Sequence, residues 1–507
     1  MAVSISFTDA LLIIGGLWLA KRLLSKKPVA PLPPGPKGLP LVGNVFDMPK
    51  TKEHLEFAKW GQEYNSDIIY VKVLGQPIVI LNSAKVTFEM LDKKSSMYSD
   101  RPVFRVASEM VGWKDVLVLT PYGDRFRESR RQLHRLMGTK AGCETFADLM
   151  ETEARKSLRR LLANPDDFRQ NIRKTAGAVI LMIAYGYKTN EDEDPLIKLV
   201  DVATDQFSKL TEAGGHIIDV FPLLRYIPSW VPGINFHKTI SKCKATLEEM
   251  ANVPHNFVKQ QMAEGTAVPS FTSTRLESKI LTPEQEDIVK WSAASLYSGG
   301  ADSTVSALST FFLAMTLYPE IQRKAQAEID AVVGTDRLPT LADRPHLPYV
   351  DAVISETLRW APVGPLSVAH RLQEDDIHNG YFIPKGSIII PNAWAMLHNP
   401  QTYRNPEKFD PDRFLDLEGW PAEQDPRAYG FGFGRRICPG LALADMSIFS
   451  NVVANLAAFD IRTVVDSNGK PVEVVPEFTD GTISHPAPFK CSIKPRSAHA
   501  EHLIFAD

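Results

Sequence analysis

The residues with the clearest chemical potential are one cysteine and one acid–hydroxyl run that lies far from it in the chain. Cys438 stands in the run FGFGRRICPG at residues 431–440. Because proline suits the first position of a helix, Cys438 is predicted at a helix start, where N–H groups and the helix dipole favour a thiolate. Glycine has no Cβ, so such a loop can approach a flat metal-containing cofactor closely. The alternative for a lone cysteine is a buried, inert thiol after a turn.

The acid–hydroxyl run SGGADST occupies residues 298–304, inside a long apolar stretch that is predicted to be helical. Two adjacent glycines each cost about 1 kcal/mol in a helix relative to alanine, so the helix is expected to open or to pass close to something flat. Asp302, Ser303 and Thr304 could relay protons to a reacting centre. The competing interpretation is a glycine packing notch with a capped aspartate.

Together the two runs resemble the cytochrome P450 family. The family's haem-binding pattern, Phe-x-x-Gly-x-Arg-x-Cys-x-Gly, is met by Phe431, Gly434, Arg436, Cys438 and Gly440. The resemblance implies that the Cys438 sulfur is the axial ligand of a haem b iron and that Asp302, Ser303 and Thr304 deliver protons. Ser303 stands where the family usually has threonine. Because serine lacks the methyl group that restricts χ1, we expect a looser hydroxyl and some release of reduced oxygen as peroxide.

A charged pair at Glu356 and Arg359 has the i, i+3 spacing that places both side chains on one helix face. Most such pairs are solvated and contribute little. Here the neighbouring residues are apolar, and the pair matches the Glu-x-x-Arg motif of the family. Arg413 lies in the companion Pro-x-Arg-Phe motif. By resemblance, the three residues form a buried ionic triad that supports folding and the haem loop rather than catalysis.

Residues 125–135 form a basic, helix-compatible segment that can be read as a solvated face, a haem-propionate site or a docking surface. Phe126 replaces the tryptophan of the family's Trp-x-x-x-Arg motif, so an indole N–H donor is lost. The resemblance implies that the propionates are bound by Arg130, Arg436, Arg371 and His134. The docking face for a reductase is expected to comprise Arg127, Arg131, Arg135 and Arg435.

The chain has 507 residues, of which 44% are hydrophobic, and a net charge of −3, so nucleic acid binding is not indicated. Its four scattered cysteines do not form a secreted disulfide framework. An apolar run at 10–20 precedes Lys21, Arg22, Lys26 and Lys27. This order predicts an uncleaved single-pass anchor (residues 1–27) in the endoplasmic reticulum membrane, with the catalytic domain in the cytosol. A signal peptide or an interfacial helix is the alternative.

The fold is predicted to be mainly α with a small β region: a stiff proline-rich hinge at 28–45 and one large domain at 46–507. Strands are expected at 68–74 and 78–81, joined as a hairpin, and at 381–383 and 388–390. Helices are expected at 144–162, 291–317, 319–333 and 350–360. The aromatic segment 217–231 either enters the membrane or packs on the protein.

The resemblance therefore implies a haem-thiolate monooxygenase that inserts one oxygen atom from O2 into a small lipophilic substrate. Electrons are expected from a separate NADPH-dependent reductase, with cytochrome b5 as a second candidate partner. Substrate contacts are expected from residues 103–120, 297–301, 363–368 and 481–483. The chain is similar to monooxygenases of fungal secondary metabolism, including the tryptamine hydroxylase type. A terpenoid substrate is favoured over an indole, polyketide or steroid. A reductase-independent isomerase or dehydratase and a non-catalytic haem- or lipophile-binding protein are the alternatives.

Overall fold

The computed structural model describes residues 29–211, 217–220, 225–227, 236–277 and 280–505. The predicted anchor at 1–27 and most of the segment 217–231 lie outside these residues. The described chain is mainly helical with small sheets, as the sequence predicts.

The helices of the described residues are α1 (Glu53–Glu63), α2 (Ala84–Thr87), α3 (Ser95–Tyr98), α4 (Asp124–Met137), α5 (Lys140–Glu144), α6 (Ala147–Ala163), α7 (Phe168–Tyr185), α8 (Pro195–Thr211), α9 (Ile217–Val220), α10 (Phe236–Glu264), α11 (Phe271–Glu277), α12 (Pro283–Leu317), α13 (Pro319–Val332), α14 (Pro348–Trp360), α15 (Ala393–Leu397), α16 (Arg427–Gly430), α17 (Leu441–Ala458) and α18 (Ala498–Phe505). Shorter 3₁₀ and π turns join them, including π turns at Phe88–Lys93 and Arg105–Val111 and a 3₁₀ turn at Gly434–Arg436.

The described strands are β1 (Ile68–Val73), β2 (Gln76–Leu81), β3 (His370–Arg371), β4 (Asp376–His378), β5 (Tyr381–Ile383), β6 (Ile388–Pro391), β7 (Phe459–Thr463) and β8 (Cys491–Pro495). β1 and β2 form the predicted antiparallel hairpin. β6 does not continue the hairpin of β4 and β5; it pairs in parallel with β2 and completes a sheet of order β1-β2-β6-β3. The sheet therefore joins the N-terminal part of the domain to the chain that follows α14.

The central helix α12 begins eight residues before the predicted start at Trp291. Thr282 and Gln285 form a capping box, and Pro283 occupies the first turn. The helix packs against α4, α7, α8, α10 and α17. A Cβ on Gly300 would lie 2.7 Å from Cδ1 of Ile180 on α7, so this glycine permits close packing of the two helices. Gly299 faces open space. Gly300 therefore forms the packing notch and Gly299 faces the open site, so both of the alternatives that the sequence left open are present.

The other predicted helices are present with small differences in their ends. The helix expected at 144–162 starts at Ala147, and a separate short helix, α5, ends at Glu144. α17 is long and apolar enough to cross a membrane, but 72% of it is buried inside the protein. It is a core helix, and no other helix of the described part meets the same criteria of length and hydropathy.

The described part of the proline-rich hinge contacts both the four-stranded sheet and the β4–β5 hairpin. The Tyr70 N–H donates to the Pro34 carbonyl at 2.9 Å, and the Phe382 N–H donates to the Pro31 carbonyl at 2.7 Å. A Cβ on Gly35 would lie 2.2 Å from the Tyr70 carbonyl oxygen. The hinge is therefore attached to β1 and β5 by backbone hydrogen bonds as well as being stiffened by its prolines.

Candidate active site

A cavity of about 370 Å³ lies between α12 and the loop that carries Cys438. On the α12 side it is lined by α12 itself, by α7 and α8, and by the segments around Val363 and Ile483. On the opposite side it is closed by residues 430–440 and the start of α17. Most of its lining is apolar, as ligand cavities in proteins usually are.

The thiol of Cys438 opens onto this cavity. Its side chain is accessible although it lies deep inside the protein, because the accessible space is the cavity itself. The preceding loop turns tightly: Gly434 has φ +55° and a Cβ there would lie 2.0 Å from the Leu91 carbonyl oxygen. The N–H of Cys438 donates to the Phe431 carbonyl at 2.7 Å. The geometry therefore requires glycine at 434 and fixes the backbone of the cysteine.

The local structure at Cys438 differs from the predicted helix start. The helix begins at Leu441 with Gly440 as its N-cap, so Cys438 and Pro439 both lie in the loop before it. Burial raises the pKa of the Cys438 thiol, whereas the Gly440 backbone N–H and the charge of Arg130 lower it. The N–H group and the cation that stabilise a thiolate are thus present, but they come from the loop and from α4.

Two partly buried ionic contacts to Asp445 hold the helix that follows this loop. Arg427 on α16, just before the loop, donates to Asp445 on α17, just after it, at 2.7 Å. Arg344 also pairs with Asp445. The acidic partner holds the pKa of the Arg427 guanidinium above its usual value despite burial. These contacts could not be predicted from the sequence, because Arg344, Arg427 and Asp445 lie in separate elements.

The predicted triad of Glu356, Arg359 and Arg413 is present and buried. Arg359 donates to both carboxylate oxygens of Glu356, at 2.7 and 2.9 Å, and Arg413 donates to the same carboxylate at 3.2 Å. Arg413 also donates to Glu423 at 2.7 Å, a partner that the sequence did not identify. The exposed fraction of the Glu356 and Arg359 side chains is 0%. The group connects α14 to the segment before the cysteine loop.

Two arginines beside the cavity are buried and bonded to carbonyl groups. Arg436 donates to the carbonyls of Ser99 and Thr120, at 2.7 and 2.8 Å. Arg101 donates to the carbonyls of Val118, Val368 and Ala369 at 2.7 to 2.8 Å. Burial lowers the pKa of Arg436 to about 10 and holds the pKa of Arg101 well below its usual value. Their charges are poorly compensated, so this end of the cavity suits an anionic group. Arg101 was missed because nothing in its sequence context marks it.

Arg130 and His370 complete this end of the cavity, Arg130 as a cation and His370 as a neutral ring, because burial holds the pKa of His370 well below its usual value. Arg130 lines the cavity and donates to the Ile437 carbonyl at 2.6 Å. His370 is buried, lines the cavity, and has its Nδ1 at 2.7 Å from the Tyr98 carbonyl oxygen. In contrast to the sequence expectation, neither His134 nor Arg371 lines the cavity. His134 is exposed on α4, and Arg371, with 38% of its side chain exposed, points toward Asp100.

Phe126, the residue in place of the family's tryptophan, is buried on α4 and lines the cavity. The guanidinium of Arg436 lies 3.8 Å from the centre of its ring. A cation over an aromatic face is attracted by the ring quadrupole. Phe126 therefore cannot donate a hydrogen bond but still fixes the position of Arg436.

The acid–hydroxyl run is divided between two faces of α12. Ser303 and Thr304 line the cavity, and the Ser303 hydroxyl donates to the Gly299 carbonyl at 2.8 Å. Asp302 does not line the cavity. One of its oxygens lies 3.1 Å from Nε2 of His485, and the other lies 3.8 Å from Arg173. The structure therefore places the two hydroxyls beside the cavity and the carboxylate behind them.

The expected substrate segments contribute unequally to the lining. Trp113, Val116 and Leu117 line the cavity, whereas Phe104 does not. Residues 363–364, 367–368 and 482–483 also line it. α8 adds Thr204 and Phe207, which the sequence did not identify because their apolar pattern is that of an ordinary core helix.

The predicted basic face is exposed on α4 and the cysteine loop. Arg127 and Arg131 are 50% and 60% exposed, and they pair with Asp124 and Glu128. Arg435 donates to the hydroxyl of Tyr122. The cations are thus accessible, but acidic neighbours on the same helix offset part of their charge.

The comparisons with known proteins agree with this geometry. The cytochrome P450 family matches residues 33–492. The chain belongs to the cytochrome P450 family. It is 55% identical to cytochrome P450 monooxygenase 208 of Postia placenta, over 94% of this chain and 92% of that protein. It is 47% identical to cytochrome P450 monooxygenase claR of Ampulloclitocybe clavipes (93% and 88%) and 38% identical to tryptamine 4-monooxygenase of Psilocybe cyanescens (92% and 93%).

This P450 is a haem-thiolate monooxygenase, and members of the family use haem b and electrons from NAD(P)H through a reductase. The residues of this chain fit such a cofactor. A thiol faces the cavity, and glycines at 432 and 440 flank it. Buried cations at the cavity edge, with carbonyl partners, suit the two carboxylates of haem b.

Proposed function

We propose that this monooxygenase inserts one oxygen atom from O2 into a small, uncharged lipophilic molecule of fungal secondary metabolism. The supporting observation is the lining of the cavity. On the α12 side it is formed largely by apolar side chains, and no described lining residue carries a carboxylate. A protonated amine there would lack a partner for its charge, and burial of an unpaired charge is costly. A terpenoid is the favoured class, ahead of a neutral indole, a polyketide or a steroid.

Each residue of the site would have a separate role in binding the cofactor or in moving protons. Cys438 supplies the sulfur ligand of the iron, and Arg101, Arg130, Arg436 and His370 hold the propionates. When bound, haem supplies the activation of O2, which the thiolate ligand favours. Ser303, Thr304 and Asp302 move protons toward the cavity. The apolar walls orient the substrate and exclude water.

The cellular setting is proposed from the sequence. The anchor at 1–27 would hold the domain on the cytosolic side of the endoplasmic reticulum membrane. An NADPH-dependent reductase, with cytochrome b5 as a second candidate, would dock on the face formed by Arg127, Arg131, Arg135 and Arg435. Electrostatic complementarity to an acidic partner supports this face.

The test is expression of the full chain with a fungal NADPH-dependent P450 reductase in microsomes. We expect the red-shifted ferrous carbon-monoxide band of a thiolate-ligated haem in the wild type and its loss in Cys438→Ser. Products are then sought by mass spectrometry under ¹⁸O2 in a panel of terpenes, indoles, polyketides and steroids. A new product carrying one ¹⁸O and requiring NADPH supports the proposal. Turnover without NADPH indicates an isomerase or dehydratase instead.

The preference for an uncharged substrate is tested by binding alone. Indole and tryptamine share one ring system and differ by a chain with an amine that is protonated at neutral pH. Titration of the ferric haem spectrum should give tighter binding for indole. Equal or tighter binding of tryptamine would contradict the assignment of an uncharged substrate while leaving the monooxygenase assignment intact.

A further inference from the structure

Asp302 belongs to a charged cluster on the side of α12 that faces away from the cavity. Its Oδ2 lies 3.1 Å from Nε2 of His485, and its Oδ1 lies 3.8 Å from Nη2 of Arg173. Nη1 of Arg173 lies 3.5 Å from Asp201. The four residues come from α12, from α7 and α8, and from the turn at 479–485, here called the C-terminal turn, which the Thr479 N–H closes by donating to the His485 carbonyl. The charge of Arg169, four residues before Arg173 on α7, also acts on this cluster.

The cluster is in contact with water, whereas the hydroxyls beside it face the cavity. Between 16% and 30% of each of the four side chains is exposed. Ser303, the next residue along α12, lines the cavity. A proton that enters the protein through Asp302 therefore starts from this outer cluster rather than from the cavity mouth.

His485 is held in a defined position by the turn that carries it. Its backbone N–H donates to the hydroxyl of Thr479 at 2.9 Å, and the preceding residue, Ser484, donates its N–H to the Val363 carbonyl at 2.8 Å. The hydroxyl of Ser306 on α12 donates to the Ser484 carbonyl. The ring is thus fixed against α12 on the same side as Asp302. Histidine is also the side chain that exchanges protons most readily near neutral pH.

We propose that His485 is a positioning residue for proton entry: with Arg173 it holds Asp302 toward water, and it supplies that carboxylate with protons. The imidazolium gives its Nε2 proton to Oδ2 of Asp302, becomes neutral, and takes a proton from water. Asp302 passes the proton by way of water to the Ser303 hydroxyl oxygen, that hydroxyl releases its own proton into the cavity, and Asp302 returns to its charged form. Arg173 and Asp201 keep the net charge of the cluster balanced. This inference rests on the proposed proton role of the acid–hydroxyl run.

The alternative is that His485 only fastens the turn to α12. His485→Gln separates the two roles, because glutamine can donate to Asp302 but cannot titrate. His485→Lys is the second variant: it keeps a positive partner for Asp302 but does not exchange protons readily at neutral pH. A purely structural role predicts wild-type behaviour in whichever variant folds.

The assay uses the haem-loaded full chain with the reductase, NADPH and O2, and needs no identified substrate. Oxygen consumption is measured from pH 6 to 8.5 in H2O and D2O. Peroxide formed and NADPH consumed are measured in the same samples, so that reduction of O2 to peroxide is distinguished from its reduction to water. For His485→Gln we expect a rate about tenfold lower at pH 7, a larger solvent isotope effect and a flatter pH profile. His485→Lys should show the same rate loss.

A second measurement is independent of turnover. Unfolding of the wild type, His485→Gln, Asp302→Asn and the double variant in urea forms a double-mutant cycle, and non-additive effects are expected because the two side chains touch. Variants with the wild-type rate, isotope effect and pH profile would overturn the inference, as would loss of the haem spectrum in both His485 variants. A wild type without the thiolate band or NADPH-dependent oxygen consumption would contradict the proposed function itself.

Discussion

Glu356→Gln should destabilise the protein strongly although it changes one atom. Glu356 accepts four hydrogen bonds, from Arg359 Nε and Nη2, from Arg413 Nε and from the Asp410 N–H, at 2.7 to 3.2 Å. The amide NH2 of glutamine would face at least one of these donors and would leave one positive charge uncompensated at a site with 0% exposure. Removing one partner of a buried ion pair costs about 3–5 kcal/mol.

The matched control is Glu248→Gln on α10. Glu248 lies 3.8 Å from Lys244, four residues earlier on the helix, and both side chains are more than half exposed (53% and 54%). Exposed pairs of this kind contribute about 0.3–0.5 kcal/mol. The same chemical substitution is therefore expected to have little effect there.

The assay is urea denaturation of the haem-loaded protein, followed by circular dichroism. Differences in midpoint, multiplied by a shared slope, give differences in the free energy of unfolding. We expect a large shift for Glu356→Gln and almost none for Glu248→Gln, with haem lost earlier in the first variant. A loss of under about 1 kcal/mol for Glu356→Gln would refute the reasoning, because it would mean that the buried charge is compensated elsewhere.

Three further predictions follow from α12 and its neighbours. Gly299→Ala adds a methyl group to open space and should raise the free energy of unfolding, measured by thermal denaturation, by about 0.5–1 kcal/mol. Gly300→Ala should lower the free energy of unfolding, because its Cβ would meet Ile180. Equal effects of the two substitutions would contradict the assigned packing. Burial raises the pKa of Asp201 from 3.8 to about 6, so the folded state binds the proton more tightly and this group's contribution to stability falls as pH rises from 4 to 6. Asp201→Asn should remove this decrease in the free energy of unfolding, which amounts to at most about 3 kcal/mol. If the unfolding midpoint of the variant depends on pH as that of the wild type does, Asp201 does not have the raised pKa. Ser303→Thr should raise product formed per NADPH, since the methyl group restricts χ1; unchanged coupling would count against a loose serine hydroxyl.

The local motifs could be predicted because each is written in a short stretch of chain. The cysteine loop, the Glu356–Arg359 pair and the helices near 319–333 and 350–360 depend on spacing, glycines and caps that the sequence displays directly. The predicted helix start at Pro439 was wrong by two residues. Gly440 takes the N-cap position there, and cap geometry is not determined by the presence of a proline alone.

The sequence by itself determined the cysteine loop, the Glu356–Arg359 pair and the family, since these are patterns of neighbouring residues. The pairing of Arg413 with Glu356, 57 residues apart, was expected from the resemblance alone. Only the tertiary structure decided which charged side chains meet at the cavity. Arg101 and His370 reach it because β3 and the segment after α3 converge there, while Arg371 alternates to the other side of its strand. Asp302 and Ser303 are adjacent in sequence, but successive residues of a helix point about 100° apart. The packing of α7 and the C-terminal turn against α12 therefore sets the hydroxyl toward the cavity and the carboxylate toward His485 and water.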